Sequence, residues 1–150
     1  MKFFGIPLFL LCAFNVIYAK EVCYCQEVCS LWGDPHIKTF NGTKPSIKIT
    51  DKDNFVILKV KKFVCEAIID KRGYMREITW GGSNWSLEDC RGKETVLPEM
   101  QYTVGNVELT GTCSCKFKKD SKKGLHLDLT IKKKINGNTA NVNIEGACMK

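Results

Sequence analysis

From residue 44 onward, apolar and polar side chains alternate with a period of two. The clearest run is Leu125-His126-Leu127-Asp128-Leu129-Thr130-Ile131, where every second residue is aliphatic; Ile47/Ile49 and Phe55/Ile57 repeat the pattern over shorter stretches. Side chains of an extended chain point alternately to its two faces, so such runs predict strands with one face on a core and one in solvent. Further strands are expected at 64–69, 75–80, 94–97, 101–104, 107–110 and 140–144. They are separated by turn formers such as Gly81-Gly82, Gly105-Asn106, Lys123-Gly124 and Asn136-Gly137. No long segment carries the i, i+3, i+4 apolar stripe of an amphipathic helix, so helix content is expected to be low. Short, closely spaced strands predict an all-β fold of the sandwich or barrel kind.

The N-terminus departs from this pattern. Residues 1–19 combine Lys2, a nearly unbroken apolar run over 3–14 and a small residue at Ala19, the layout of a secretory signal peptide. The run is shorter than the roughly 20 residues a bilayer crossing needs, and no later stretch reaches that length without charges, so no transmembrane segment is expected. The remaining residues, 20–150, are expected to form a single secreted, extracellular domain. They carry eight cysteines: Cys23, Cys25, Cys29, Cys65, Cys90, Cys113, Cys115 and Cys148. In an oxidising export route an even count predicts disulfides throughout, giving a disulfide-stabilised fold, but roughly a hundred connectivities are open. The Cys-x-Cys spacing of Cys23/Cys25 and Cys113/Cys115 is tighter than zinc sites use, so bridges are the preferred reading there too.

The full chain carries a net charge of +7, with lysines concentrated at Lys59/Lys61/Lys62, Lys116/Lys118/Lys119/Lys122/Lys123 and Lys132/Lys133/Lys134. Folded together, these would suit an anionic glycan or the acidic surface of an extracellular protein; spread apart, they are a solvated rim. Nucleic acid is not an expected partner of an exported chain without a binding motif.

The most specific stretch is Cys29-Ser-Leu-Trp32-Gly33-Asp34-Pro35-His36-Ile-Lys-Thr39-Phe40-Asn41-Gly42. It resembles the opening of a von Willebrand factor type D domain, whose pattern is Cys-x-x-x-Gly-Asp-Pro-His, one apolar residue, x-Thr-Phe-Asp-Gly. The resemblance implies an all-β extracellular module that works by association. It also brings in calcium, for which the position of Asn41 supplies a ligand in the family; here the usual aspartate is an amide. The family's later Cys-Gly-Leu-Cys-Gly-Asn segment is missing, so the chain reads as a divergent member. The expected function is a secreted binding or structural module for extracellular protein or glycan. A venom-gland or defence effector, toxin-like in its compact basic scaffold, and an extracellular-matrix or biomineral protein are the alternative readings.

As bare chemistry, Gly33-Asp34-Pro35-His36 is a turn signature. It also holds a bond able to break itself. The Asp34 carboxyl can attack its own backbone carbonyl, the Pro35 nitrogen is a good leaving group once protonated, and His36 can supply that proton. Two sequons, Asn41-Gly-Thr43 and Asn84-Trp-Ser86, make the protein a candidate glycoprotein. His36 and His126 are the only imidazoles, and alternation puts His126 outward beside Asp128. No nucleophile motif is present, so an enzyme is not expected.

Overall fold

The computed structural model describes residues 26–33, 36–46, 54–70, 74–117 and 125–150. It is built almost entirely of strands: β1 (Gln26–Gly33), β2 (His36–Lys38), β3 (Asn54–Val60), β4 (Phe63–Ile69), β5 (Met75–Trp80), β6 (Ser83–Ser86), β7 (Thr95–Val96), β8 (Met100–Val104), β9 (Val107–Lys116) and β10 (His126–Ile135). Helical structure among the described residues is one 3-10 turn, Ala147–Met149. All pairings between strands are antiparallel. One sheet runs β2-β1-β10-β9, with β8 and then β7 pairing along the far side of β9; the other runs β3-β4-β5-β6.

The two sheets share one core. Leu127, Leu129 and Ile131 of β10 and Leu109 and Cys113 of β9 face Phe63, Cys65, Ala67 and Ile78 of the smaller sheet. The alternation that predicted β10 is borne out, since 127, 129 and 131 are buried while 128 and 132 are exposed. Complete burial of an aliphatic side chain contributes about 1.5–3 kcal/mol, so these inward positions supply the main drive for the two layers to associate. Among the described residues no helix is long and apolar enough to cross a membrane.

Three expectations need correction. The region 140–144 is not a strand, although Ala140, Val142 and Ile144 do alternate inward. Its backbone is held instead by a side chain: Asn106 Nδ2 donates to the carbonyls of Asn136 (3.1 Å) and Thr139 (2.8 Å), and Asn106 Oδ1 accepts from the Asn141 amide (2.9 Å). Those bonds pin the segment at its start, at Asn136, Thr139 and Asn141, without a partner strand. Second, β1 and β2 were not anticipated, because the cysteine and turn residues of this stretch obscure the inward row Glu27/Cys29/Leu31. Third, the region 94–97 contributes only the two-residue β7. The expected strand at Ile47/Ile49 lies outside the described residues.

The C-terminal segment straps the two layers together. Glu145 exchanges backbone hydrogen bonds with Lys59 on β3, 2.8 and 3.0 Å, covering the edge of the smaller sheet. Three residues on, Cys148 is bridged to Cys29 of β1 in the larger sheet, and its carbonyl accepts from the Phe40 amide at 2.9 Å. A second bridge joins Cys90, in the segment after β6, to Cys115 on β9. Cys65 and Cys113, which the even count places in bridges, are both thiols here. Cys23 and Cys25 lie outside the described residues.

Candidate functional site

One face of each sheet packs on the core, and among the described residues no second layer covers the other face of the larger sheet. Register assigns its occupants without ambiguity. Ser30, Thr130 and Thr112 form one row across β1, β10 and β9; Trp32, Asp128 and Ser114 form the next; His126 and Lys116 follow. On the edge strand β2, His36 stands opposite Trp32 and Lys38 opposite Ser30. In the other direction lies Lys132 beside Val28, then Lys134 between Gln26 and Glu108. Lys38, Lys116, Lys132, Lys134 and two histidines thus share this face with Asp128 and Glu108, where Asn136 Nδ2 donates to Glu108 at 3.1 Å, and the Glu94 carboxylate reaches it from the segment before β7, accepting from Ser114 Oγ at 3.1 Å.

Its most distinctive feature is Trp32. A tryptophan on a strand is usually turned to the core, yet this one is 39 % exposed, with its ring stacked on the His36 imidazole at a centroid distance of 5.7 Å and an interplanar angle of 26°. The pair is set by the turn between β1 and β2. Gly33 adopts φ +70°, and a Cβ added there would lie 3.2 Å from Cδ2 of His36. The imidazole therefore rests against the bare glycine and the indole at once. Gly33→Ala is expected to cost about 1–2 kcal/mol from the left-handed backbone alone, and to push His36 off Trp32. A chemical-shift change of the His36 imidazole protons in the variant checks this; an unmoved imidazole would show that the turn has room to spare.

The end of β1 lies beside the start of β10, where Gly33 pairs with Leu127; the β9–β10 connection precedes that strand in sequence. That connection, 118–124, carries Lys118, Lys119, Lys122 and Lys123 in sequence and is outside the described residues, as are Asp34 and Pro35 themselves. His36 is described, exposed, and the first residue of β2.

The lysine groups do not fold into a single patch. Strand alternation splits Lys132/Lys133/Lys134: Lys133 turns inward, 6 % exposed, where its Nζ meets Glu27 Oε1 at 2.9 Å and sits 4.5 Å from the centre of the Phe40 ring. It is a structural cation. Lys61 and Lys62 belong to the β3–β4 turn of the other sheet. The outer-face cations and the exposed Trp32 are what sequence inspection missed; extending the inward row Cys29/Leu31 by one residue would have turned Trp32 outward.

Asn41 is exposed in the turn after β2, and among the described residues no group of three or more His, Cys, Asp or Glu side chains gathers to hold a metal. An amide without carboxylates around it is a poor calcium ligand set, so the described residues do not fit that ion. Asn84 is exposed on the edge strand β6, where the Thr79 hydroxyl bonds its Oδ1 at 2.7 Å. A sugar on its Nδ2 would project from the outer side of the smaller sheet, away from the Trp32 face.

Neither a protein-family model nor a curated protein sequence matches this chain. The class that the structure defines is a disulfide-stabilised all-β protein of two antiparallel sheets.

Proposed function

We propose that the chain is a secreted, von Willebrand type D-like binding module that engages an acidic glycan through the outer face of its larger sheet. The observation that carries this reading is the exposed Trp32–His36 stack on a face that also carries Lys38, Lys116 and Lys132. An indole offers a flat apolar surface for the C–H face of a sugar ring. The row Ser30/Thr130/Thr112 offers hydroxyls, and Lys38, Lys116 and Lys132 answer sulfate or carboxylate groups. The Gly-Asp-Pro-His motif, the signal-like leader and the two bridges support the extracellular setting.

The test is retention on a heparin column against retention on neutral dextran. Native protein is expected to bind the sulfated polymer and elute with salt, since exposed charge pairs are screened at high ionic strength. Lys38→Glu combined with Lys132→Glu should weaken binding at least tenfold, and Trp32→Ala should weaken it further at equal charge. Retention unchanged by the double charge reversal would sink the assignment to this face.

A second reading, self-cleavage between Asp34 and Pro35, is favoured by the exposed imidazole of His36 directly after that bond. A carboxyl oxygen of Asp34 bonds to its own backbone carbonyl carbon, the C–N bond to Pro35 breaks as the nitrogen takes a proton from His36, and water opens the resulting anhydride. Because Cys29 is bridged to Cys148, the N-terminal piece stays attached after cleavage. The expected signature at mildly acidic pH is a gain of one water in intact mass and two fragments on reduction, slowed in His36→Gln. A single reduced chain after prolonged acid incubation would rule the reaction out.

A further inference from the structure

Neither bridge in the structure runs directly between the two sheets: Cys29–Cys148 ties β1 to the C-terminal strap, and Cys90–Cys115 ties the segment after β6 to β9. The two thiols that remain among the described residues are placed differently. Cys65 lies in the middle of β4, 0 % exposed, and Cys113 in β9 of the opposite sheet, 3 % exposed; both point into the shared core. Packing around them shows that these stretches face each other. Gly111 is two residues before Cys113 on the same face, and a Cβ there would meet Trp80 Cη2 at 2.9 Å and Phe63 Cζ at 3.3 Å. Phe63 is two residues before Cys65 on β4, and Trp80 is the cross-strand partner of Cys65. Each cysteine is therefore one step along its own strand, or one strand across, from a contact that already closes the gap between the layers.

We infer that Cys65 and Cys113 are partners, oxidised to a disulfide that crosses the core and locks the two sheets to each other. Cys115, on the same face of β9, supplies the internal comparison, for it already reaches a different partner, Cys90. The step is an exchange with a disulfide oxidant of the glutathione class. Two S–H bonds break, one S–S bond forms between Cys65 and Cys113, and the oxidant takes both electrons and both protons to leave as two thiols.

Timing follows from the surroundings of the sulfurs. Burial, with the Asp128 carboxylate adding to it, pushes the Cys113 thiol up to about 12. Burial first, then Cys113 and Glu66, holds Cys65 well above its ordinary value too. Thiolate is the reacting species, so the closed native state oxidises slowly and the bridge forms while the chain is still folding.

The test is disulfide mapping of the full chain secreted from eukaryotic cells, alkylated in denaturant and digested with trypsin without reduction. The expected result is one cluster joining peptides 63–71, 77–91 and 94–116, with fragmentation between residues 113 and 115 assigning Cys65 to Cys113. Alkylated Cys65, Cys65 joined to peptide 21–38, or Cys65 joined to Cys115 would each overturn the proposal. Alkaline stability is an independent check. Thiols whose folded-state pKa is raised stabilise the fold below their ordinary value near 9 and lose that contribution as pH climbs toward 12. A bridge has no proton to lose. Native protein and Cys65→Ala/Cys113→Ala are expected to lose stability in parallel over this window; a steeper loss in the native protein would mean free thiols and refute the bridge.

Discussion

Replacing Cys29 and Cys148 together by alanine is expected to lower the unfolding free energy by about 5 kcal/mol, a larger effect than removal of the Cys90–Cys115 bridge. The physical basis is loop closure. The two residues are 119 apart in sequence, and the denatured chain regains all the freedom which that closure removes. The Cys90–Cys115 bridge closes only 25 residues, for which the same relation gives about 3.5 kcal/mol. A domain of this size is stable by about 5–15 kcal/mol in total, so loss of the long bridge brings it close to unfolding at body temperature. The effect also has a place. Without Cys148 anchored, the strap over β3 is held by the Lys59–Glu145 backbone pair, the Phe40–Cys148 hydrogen bond, the bond from the Thr43 hydroxyl to the Lys150 carbonyl and the packing of Ile144 and Ala147. Hydrogen exchange at the amides of Lys59, Glu145 and Phe40 should accelerate before the centres of β9 and β10 are affected. The readouts are the urea midpoint of each double variant and site-resolved exchange. If removing the shorter bridge proves the more damaging, strain or local packing outweighs chain entropy and the strap is not what the long bridge secures.

The second large effect is expected at Gly111. The added Cβ of an alanine would already approach Trp80 Cη2 to 2.9 Å, Cζ2 to 3.2 Å and Phe63 Cζ to 3.3 Å. Valine adds two further methyl groups in the same space. The indole cannot simply swing aside, because Trp80 Nε1 donates to the Pro98 carbonyl at 2.7 Å and both rings are almost fully buried. Overpacking of a filled core costs about 1–3 kcal/mol, and the anchored indole puts Gly111→Val at the upper end, although valine is the better strand former. The expected observation is a lower urea midpoint together with an altered near-ultraviolet tryptophan signal, and a smaller change of the same sign in Gly111→Ala. A stabilised valine variant would show that the layers can separate at this point.

These two predictions draw on different levels of the molecule. The alternation over 125–131 is strong enough that β10 and its buried face follow from the sequence, because period two matches one physical arrangement, a strand with one wet side. The same rule, applied to Lys132/Lys133/Lys134, would have separated the inward Lys133 from its outward neighbours, but a run of like charges reads as a solvated cluster until register is known. Alternation in 140–144 was equally visible and led to a strand that is absent. What it could not reveal was that Asn106, some thirty residues earlier, holds the segment through the Thr139 carbonyl and the Asn141 amide in place of a strand ladder.

The candidate site divides in the same way. Gly33, Asp34, Pro35 and His36 stand out in the sequence because turn chemistry is local: a residue free to take positive φ and a proline that fixes its own. The cysteine count is local information too, and it predicts oxidation without connectivity. By itself, then, the sequence determined the all-β class, most of the strands, the turns between them and the cysteines available for bridging. Only the tertiary structure decided that Trp32 is outside and stacked on His36, which lysines share its face, that the segment through Glu145 and Cys148 is strapped to β3 and β1, and that Cys65 and Cys113 occupy opposing walls of one core. Each of these depends on strands distant in sequence being set side by side in a particular register, and register comes from the collective packing of two sheets, which no local pattern encodes.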